Sequence, residues 1–405
     1  MAAGEIAKRA AAMAKAARAA ESATKEQVLD RVRALIPGFR ERAAAAEAAR
    51  HLPAQSVDEL MDAGLARILM PARYGGYGLG FNTWFEVVRE ISKADASHGW
   101  CASLLIHHPH CIAQFSKEAQ DAIWAEGPDV AIAASFVPVI KVVPAEGGYR
   151  VSGQSPFASG VGHSSWVFIG GMVETEGAPE WNFFLIPARD CKIAETWFTI
   201  GMRGTGSNTI VTDNVFVPKE RMLSLAKLRE GKGPGGALHE NRIYRAPFIA
   251  YAPLSFATPM LGAAQGAYEH FRDWTKTRKG PGGVAVADRT SLQVQMARIG
   301  ADLDAAELLL RRAVDVAGAA ATPSLALRAQ CMRDYARAAE LAVSSIDGLI
   351  AMSGTAGFSE SHPIQRAWRD IRFSAMHISL SAENAYSHYG RIELGLPQDP
   401  HLPYF

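Results

Sequence analysis

The sequence predicts an α+β protein built as a helical domain, a β-domain and a helical bundle, in that order. Two observations carry this. Apolar residues repeat at helical spacing up to about residue 128 and again from about residue 245. Between them, over 129–228, they fall into period-two alternation and short apolar runs separated by Gly and Pro. With 405 residues, 48% of them hydrophobic, the chain can bury a large core. The expected divisions are an N-terminal extension over 1–24, a helical domain over 25–128, a β-domain over 129–228 and a helical bundle over 229–405.

The first 24 residues are rich in Ala, Lys and Arg. Glu5 and Glu21 interrupt an organelle-targeting pattern and no secretory apolar core is present, so a frayed Ala-rich helix is expected there. In the first domain Val28, Val32, Leu35 and Ile36 share a helical face, as do Val57, Leu60 and Met61 behind Ser56 as N-cap. A Gly-rich loop over Pro71–Gly78 precedes a helix through Phe85, Val88 and Ile91. Strands are expected at Val130–Phe136, Gly148–Val151, Trp166–Met172, Asn182–Ile186, Lys192–Trp197 and Thr209–Val217. The segment Glu230–Ala237 reads as a mobile loop. Long helices follow over Leu292–Val314 and Leu325–Met352. A Gly-rich break, Ser353–Phe358, then precedes a last helix carrying His377, Ser381, Asn384 and His388 as one polar stripe, lining a pocket at its start and facing solvent at His388.

Composition narrows the function. Lys plus Arg is 42 against 41 for Asp plus Glu, a balance that argues against nucleic acid as the main partner. Cys101, Cys111, Cys191 and Cys331 lie far apart with no C-x-x-C pair, as buried free thiols of a reducing compartment do. No run has the apolar length of a membrane span, and a cytoplasmic protein is expected. His107, His108 and His110 stand three in four residues. Their spacing aims them at different helix faces, and no carboxylate cluster joins them, so no metal is expected.

Two segments have the composition of a cofactor site. In Gly147–Trp166, GGYRVSGQSPFASGVGHSSW, a half-buried strand breaks into Ala158-Ser159-Gly160, where small residues admit another body and a hydroxyl stands on the rim. An ordinary hairpin with a Ser-Gly bend reads the same way. In Gly201-Met202-Arg203-Gly204-Thr205-Gly206-Ser207, glycines could free backbone N–H groups for a ligand beside one Arg and two hydroxyls. A plain glycine turn is the alternative.

Read together, these motifs resemble the acyl-CoA dehydrogenase fold over nearly the whole chain, and within it the flavin-dependent monooxygenases of two-component systems that act on 4-hydroxyphenylacetate or steroid-derived phenols. The resemblance rests on LMPARYGGYG at 69–78, ADASHGW at 94–100, GGYRVSG with FASG at 147–160, GMRGTGSN at 201–208, VFVP at 215–218 and HYGRIELGLP at 388–397. It implies a central β-barrel, a C-terminal four-helix bundle and a homotetramer whose subunits share flavin sites. By the same resemblance Arg203, Gly204, Thr205 and Ser207 hold flavin, reduced FMN or FAD. Arg278 contacts the flavin pyrophosphate, and Gly354, Thr355 and Gly357 contact the dinucleotide from a neighbouring subunit.

One departure selects the chemistry. Dehydrogenases of the superfamily need a carboxylate base against the flavin. The matching stretch Arg369–Ile378 contains no Glu and carries His377, and Ala134–Pro138 replaces the motif T-E-P-x-x-G-S-D. The resemblance therefore implies oxygen activation, in which reduced flavin and dioxygen form a flavin hydroperoxide. In that scheme Ser159 lies at the flavin's reactive edge and His377 near the hydroperoxide. Ser135 touches the substrate hydroxyl, and His108, with His110 as rival, assists its deprotonation. With no G-x-G-x-x-G unit after a strand, a separate NADH-dependent flavin reductase is the expected partner and a small aromatic, phenolic compound the substrate. The alternatives are thioester dehydrogenation and N- or S-oxygenation on the same scaffold.

Overall fold

The computed structural model describes residues 22–319 and 321–397; the extension expected over 1–24 lies outside these residues except for its last three. Helix α1 (Lys25–Ala49) begins where Thr24 and Gln27 exchange hydrogen bonds of 2.8 and 3.3 Å, a capping box that satisfies two amides a helix start leaves orphaned. In α2 (Ala54–Asp62) the cap position belongs to Pro53. Ser56 is therefore not the expected N-cap. It lies inside the helix, where its hydroxyl accepts from Arg42 Nε at 2.9 Å.

Helices α3 (Phe81–Ser92), α4 (Ala96–Ile112) and α5 (Lys117–Ile123) complete the first part. Asp95 caps α4 by accepting from the His98 amide at 3.0 Å. Almost every residue of α4 is buried, so it shows no apolar stripe and its three neighbouring histidines all lie inside the protein.

The strands are β1 (Ile132–Ala145), β2 (Gly148–Ala158), β3 (Trp166–Val173), β4 (Glu180–Pro187), β5 (Lys192–Ala194), β6 (Asn208–Pro218) and β7 (Met222–Ser224). They form one sheet in the order β5-β6-β2-β1-β3-β4-β7. β1 is longer than its sequence pattern suggested because it serves two partners. Ile132–Ser135 run parallel to β3, and Lys141–Ala145 run antiparallel to β2. The register shifts between Ser135 and Ile140, where Pro138 has no N–H to give a ladder. The sheet bends there. The expected barrel is thus a bent sheet whose outer strands are β5 and β7. The short β7 was not foreseen.

After the short helix α6 (Leu225–Arg229), the segment expected to be mobile is packed. A Cβ on Gly235 would stand 1.9 Å from the Phe115 carbonyl oxygen, and one on Gly233 2.4 Å from that of Gln114. These glycines permit close backbone contact rather than motion. Helices α7 (Phe248–Tyr251), α8 (Leu254–Thr277), α9 (Thr290–Gly318) and α10 (Leu325–Gly357) follow, with α8, α9 and α10 packed on one another and α3 laid against α8. One apolar core runs through both helical parts, and two smaller ones lie against the sheet.

The chain's end departs from expectation. α10 runs through Ser353 and breaks at Gly354, with φ 61° and ψ −163°. The single last helix is instead two, α11 (Pro363–Ser374) and α12 (Ala382–Glu393). Between them His377 opens a 3-10 turn, Ile378–Leu380, and Ser381 caps α12. No polar stripe links His377 to His388, and His388 is buried, not solvent-facing. Cys101, Cys111 and Cys331 are buried as expected, while Cys191 is partly exposed. Among the described residues no helix is long and apolar enough to cross a membrane.

Candidate active site

Ser159 follows the end of β2, where the backbone is strained. Phe157 holds φ at 65°, unusual for a bulky residue, and its ring is 64% exposed. The Ser159 hydroxyl accepts from the Trp100 indole N–H at 3.2 Å and bonds the Ser207 hydroxyl at 2.7 Å. Ser207 in turn bonds Thr205 Oγ1 at 2.7 Å, and Thr205 donates to the Met202 carbonyl at 2.8 Å.

A carbonyl only accepts, so this chain has a direction. Thr205 gives its hydrogen to Met202, Ser207 gives to Thr205, and Ser159 gives to Ser207. The Met202 carbonyl also accepts from the Trp197 indole at 2.9 Å and from the Thr205 amide at 3.2 Å. It stays satisfied if the Thr205 hydroxyl turns away. Reversal of the three hydroxyls would free the Ser159 hydrogen for a ligand on the rim.

The glycines of 201–206 serve packing, not a cradle of open N–H groups. A Cβ on Gly201 would stand 2.4 Å from the Arg369 carbonyl oxygen, and one on Gly204 2.9 Å from Ser97 Cβ. The Met202 amide donates to Asp370 Oδ1 at 2.6 Å, tying the turn to α11. Burial and the nearby Asp95 push the Asp370 carboxyl up to about 7. Arg203 lies in this turn with its Nε buried and without a hydrogen-bond partner among the described residues.

His377 reaches the same place from the α11–α12 turn. Its ring stacks on Phe256 with centroids 3.6 Å apart and meets the edge of Trp100 at 5.9 Å. Trp100 therefore joins the two residues the sequence singled out, Ser159 and His377. Burial lowers the imidazole to about 4, so it is neutral near pH 7. Its Nδ1 accepts from the Ser379 amide at 3.2 Å, so the ring hydrogen sits on Nε2. His377 is a hydrogen-bond donor.

The residues expected on the substrate side, His108 and Ser135, stand on α4 and β1. His108 is buried and lowered to about 4, again by burial. Its Nδ1 lies 2.6 Å from the Ile132 carbonyl, which it must donate to, leaving Nε2 as an acceptor. Ser135, on the same strand, donates to the Pro156 carbonyl at 2.7 Å. Phe136 beside Ser135 and Ile378 beside His377 line one cleft, so these two residues flank common ground. His110 does not join them. Its Nε2 lies 2.8 Å from the Ile243 carbonyl and its ring packs among Phe81, Tyr244 and Tyr251, a place in the helical core.

The second group of residues gathers at the far end of α8. The Arg278 guanidinium lies 3.9 Å over the Trp274 ring and donates to the Ser353 carbonyl at 3.4 Å, while its Nη1 is buried without a hydrogen-bond partner among the described residues. Lys279 and Arg289 line the same cavity of about 450 Å3. Gly354 and Thr355 are exposed at the break in α10. Gly357 is buried, a Cβ there falling 2.2 Å from that of Ser353. An orphaned guanidinium nitrogen in a basic cavity fits a phosphate, and an exposed strained Phe beside a hydroxyl fits a flat ring. The residues present suit a flavin. Trp100 and Phe256 were not singled out from the sequence, and Phe157 reads there as an apolar position of a half-buried strand, whereas its ring is 64% exposed. Trp100 stood within the ADASHGW motif, whereas the φ of Phe157 has no sequence signal.

Comparison with known proteins follows this geometry. Residues 22–127 match the acyl-CoA dehydrogenase N-terminal domain and residues 254–382 the acyl-CoA dehydrogenase C-terminal domain. The chain is 36% identical to the flavin-dependent monooxygenase, oxygenase subunit HsaA, of Rhodococcus jostii (strain RHA1), over 91% of this chain and 98% of the relative. It is 33% identical to the FADH(2)-dependent resorcinol hydroxylase, oxygenase component, of Rhizobium sp. (strain MTP-10005), over 95% and 98%. The crystal structure of 3-HSA hydroxylase from Rhodococcus sp. RHA1 superposes with a TM-score of 0.88 at 34% identity, covering 93% of this chain and 99% of that one.

Proposed function

This chain belongs to the acyl-CoA dehydrogenase superfamily and, within it, to the oxygenase subunits of flavin-dependent monooxygenases, and from that premise we propose that the cluster of Ser159, Trp100 and His377 serves oxygenation of a phenol. The protein is the oxygenase component of a two-component system, working with a separate reductase. That the reductase uses NADH, and that the oxygenase is a homotetramer with Arg278, Gly354, Thr355 and Gly357 reaching a neighbour's flavin, are parts of the proposal.

Bound reduced flavin would supply the electrons that activate dioxygen, one oxygen atom entering the substrate and the other leaving as water. The chain's own residues do the rest. Ser159, freed from Ser207 by the turn of the Thr205 hydroxyl, donates one hydrogen bond from the rim, with Trp100 fixing its oxygen. Thr205 and Ser207 hold the direction of that hydrogen, and Arg203 adds a positive charge in the same turn. Trp100 and Phe256 keep water from the His377 ring, whose Nε2–H offers a hydrogen bond without a mobile charge. His108 Nε2 accepts from the phenol hydroxyl, and Ser135 helps hold it. Donation of that hydrogen bond raises ring electron density where oxygen must add.

The observation that carries this reading is the convergence of a serine hydroxyl and a neutral imidazole donor on one indole. The test supplies chemically reduced FMN or FAD and dioxygen to the protein with a panel of phenols. Product should form per flavin oxidised with resorcinol-like and para-substituted phenols. Flavin oxidation with hydrogen peroxide as its sole product, across the whole panel, would sink the reading.

A further inference from the structure

Two consecutive residues of α11 grip the turn that carries the hydroxyl chain. Arg369 Nη1 donates to the Ile200 carbonyl at 2.6 Å, and Asp370 Oδ1 accepts from the Met202 amide at 2.6 Å. Gly201 lies between them, pressed so closely on the Arg369 carbonyl that a Cβ would clash. One turn further along α11, the Phe373 ring meets Trp197 edge-to-face at 5.5 Å. Met202 itself holds φ at 53°, a left-handed conformation that a residue with a side chain adopts only when its surroundings impose it. That residue is the fixed end of the hydroxyl chain, for its carbonyl takes the Thr205 hydrogen at 2.8 Å and the Trp197 indole hydrogen at 2.9 Å. α11 ends at Ser374, and His377 follows. One helix therefore anchors the Ser159 chain and delivers His377 at its end.

The anchor is a carboxylate where an amide would serve. An asparagine would accept from the Met202 amide without the cost of burying a charge. Asp370 is buried, and so is Asp95 at the start of α4. Their surroundings drive the two acids apart. Burial works against a charge on Asp95, but the His98 ring at 2.8 Å and Arg366 at 3.7 Å hold its carboxyl below the ordinary value. Asp370, pushed up to about 7 by burial and by Asp95, is the one of the pair that changes charge near neutrality. The other charged groups around it are engaged or belong to the turn. Glu47 on α1 pairs with Arg369 at 2.5 Å, Asp347 on α10 accepts from Arg372 at 3.0 Å, and Arg203 follows Met202. A carboxylate accepts a hydrogen bond more strongly than a neutral acid does. The grip on Met202 therefore tightens when Asp370 loses its proton.

We propose that Asp370 is a positioning residue, whose charge sets how firmly the Met202 turn, and with it the Ser159 hydroxyl, is held in register with His377. The effect on oxygenation rests on the phenol-oxygenase reading, while the grip itself stands on the contacts of α11. Ionised, Asp370 holds the turn, and the hydroxyl chain ends at a fixed rim. Protonated, it gives a weaker bond, and the strained Met202 backbone relaxes.

The first readout needs no flavin. In full-length protein labelled with nitrogen-15 in its tryptophan indoles, Trp100 reports its bond to Ser159 and Trp197 its bond to Met202. Trp100→Phe and Trp197→Phe assign the signals. Both should move together between about pH 6 and about pH 8 with one midpoint near 7, and both should hold still in Asp370→Asn. The Trp84 indole, which donates to Ser103 in the helical core at 3.1 Å, should keep its wild-type position in that variant and reports an intact fold. The second readout is product formed per flavin oxidised, with chemically reduced flavin and a phenol. It should rise about threefold or more over the same range in the wild type, the difference between a charged and a neutral acceptor, and stay level in Asp370→Asn. Indole signals that move independently in the wild type, or that titrate alike in Asp370→Asn, overturn the proposal. So does a coupling profile that Asp370→Asn leaves unchanged. Indoles that titrate together while no phenol is oxygenated at any pH would keep the grip and remove the phenol reading. A phenol oxygenated while the indoles stay still would leave the phenol reading standing and reduce Asp370 to a structural residue.

Discussion

His108 on α4 and His377 in the α11–α12 turn are the same side chain in the same charge state with opposite hydrogen-bond directions. Burial brings both down to about 4, so both are neutral near pH 7. What differs is the backbone group each Nδ1 meets. At His108 it is the Ile132 carbonyl, which forces the hydrogen onto Nδ1 and leaves Nε2 an acceptor. At His377 it is the Ser379 amide, which forces the hydrogen onto Nε2 and makes it a donor. Burial sets the charge, and one main-chain contact sets the direction of the hydrogen bond. The proposed function uses one of each, an acceptor for a substrate hydroxyl and a donor at the oxygen-handling end.

Acid should break both sides of this comparison at once, with the largest effect. His107 is held well below the ordinary histidine value, and His108, His110 and His377 are lowered to about 4, with burial the main cause at each. The unfolded chain then binds more protons than the folded one between about pH 6.5 and 4. Stability is full above pH 6.5 and is lost as pH falls toward 4, each fully shifted imidazole being worth about 3 kcal/mol at most. Asp370, raised to about 7, acts in the opposite sense but is a single group. The urea midpoint should fall clearly from pH 7.5 to pH 5; equal midpoints would mean that these rings are not buried neutral.

Removing one side should cost less but fall more selectively. His377→Ala should lower product formed per flavin oxidised by about tenfold or more, the loss expected for one hydrogen bond at a polarised partner. Flavin oxidation should continue, and the missing product should appear as hydrogen peroxide. Wild-type coupling in His377→Ala would make the histidine structural.

Much of this arrangement was legible before any coordinates. The switch from helical to alternating spacing near residue 129 anticipated the sheet, and the motif order singled out Ser159 and His377, which the fold brings to one indole. What was not legible depended on partners distant in sequence. β1 runs on past Phe136 because β2 pairs with Lys141–Ala145, a contact no local pattern encodes. The glycines of 230–237 looked like a mobile loop because a glycine that admits a carbonyl reads the same as one that frees the chain. His377 fell on a helical repeat with Ser381 and His388 by spacing alone, yet Ser381 is a cap and the repeat is broken by a turn. His110, two residues from His108, looked equivalent until the fold gave it the Ile243 carbonyl and a ring of aromatics. The link from Ser159 through Trp100 to His377 joins residues as far apart as 100 and 377, and only the folded protein brings it together.

The claim that two neutral histidines carry opposite hydrogens can be measured directly. Protein labelled with nitrogen-15 in its histidine rings, with His108→Ala and His377→Ala to assign the signals, gives the protonated nitrogen of each ring from its chemical shift at pH 7.5. The account predicts a hydrogen on Nδ1 of His108 and on Nε2 of His377, with neither ring charged. The same tautomer at both positions, or a charged imidazolium at either, would contradict it.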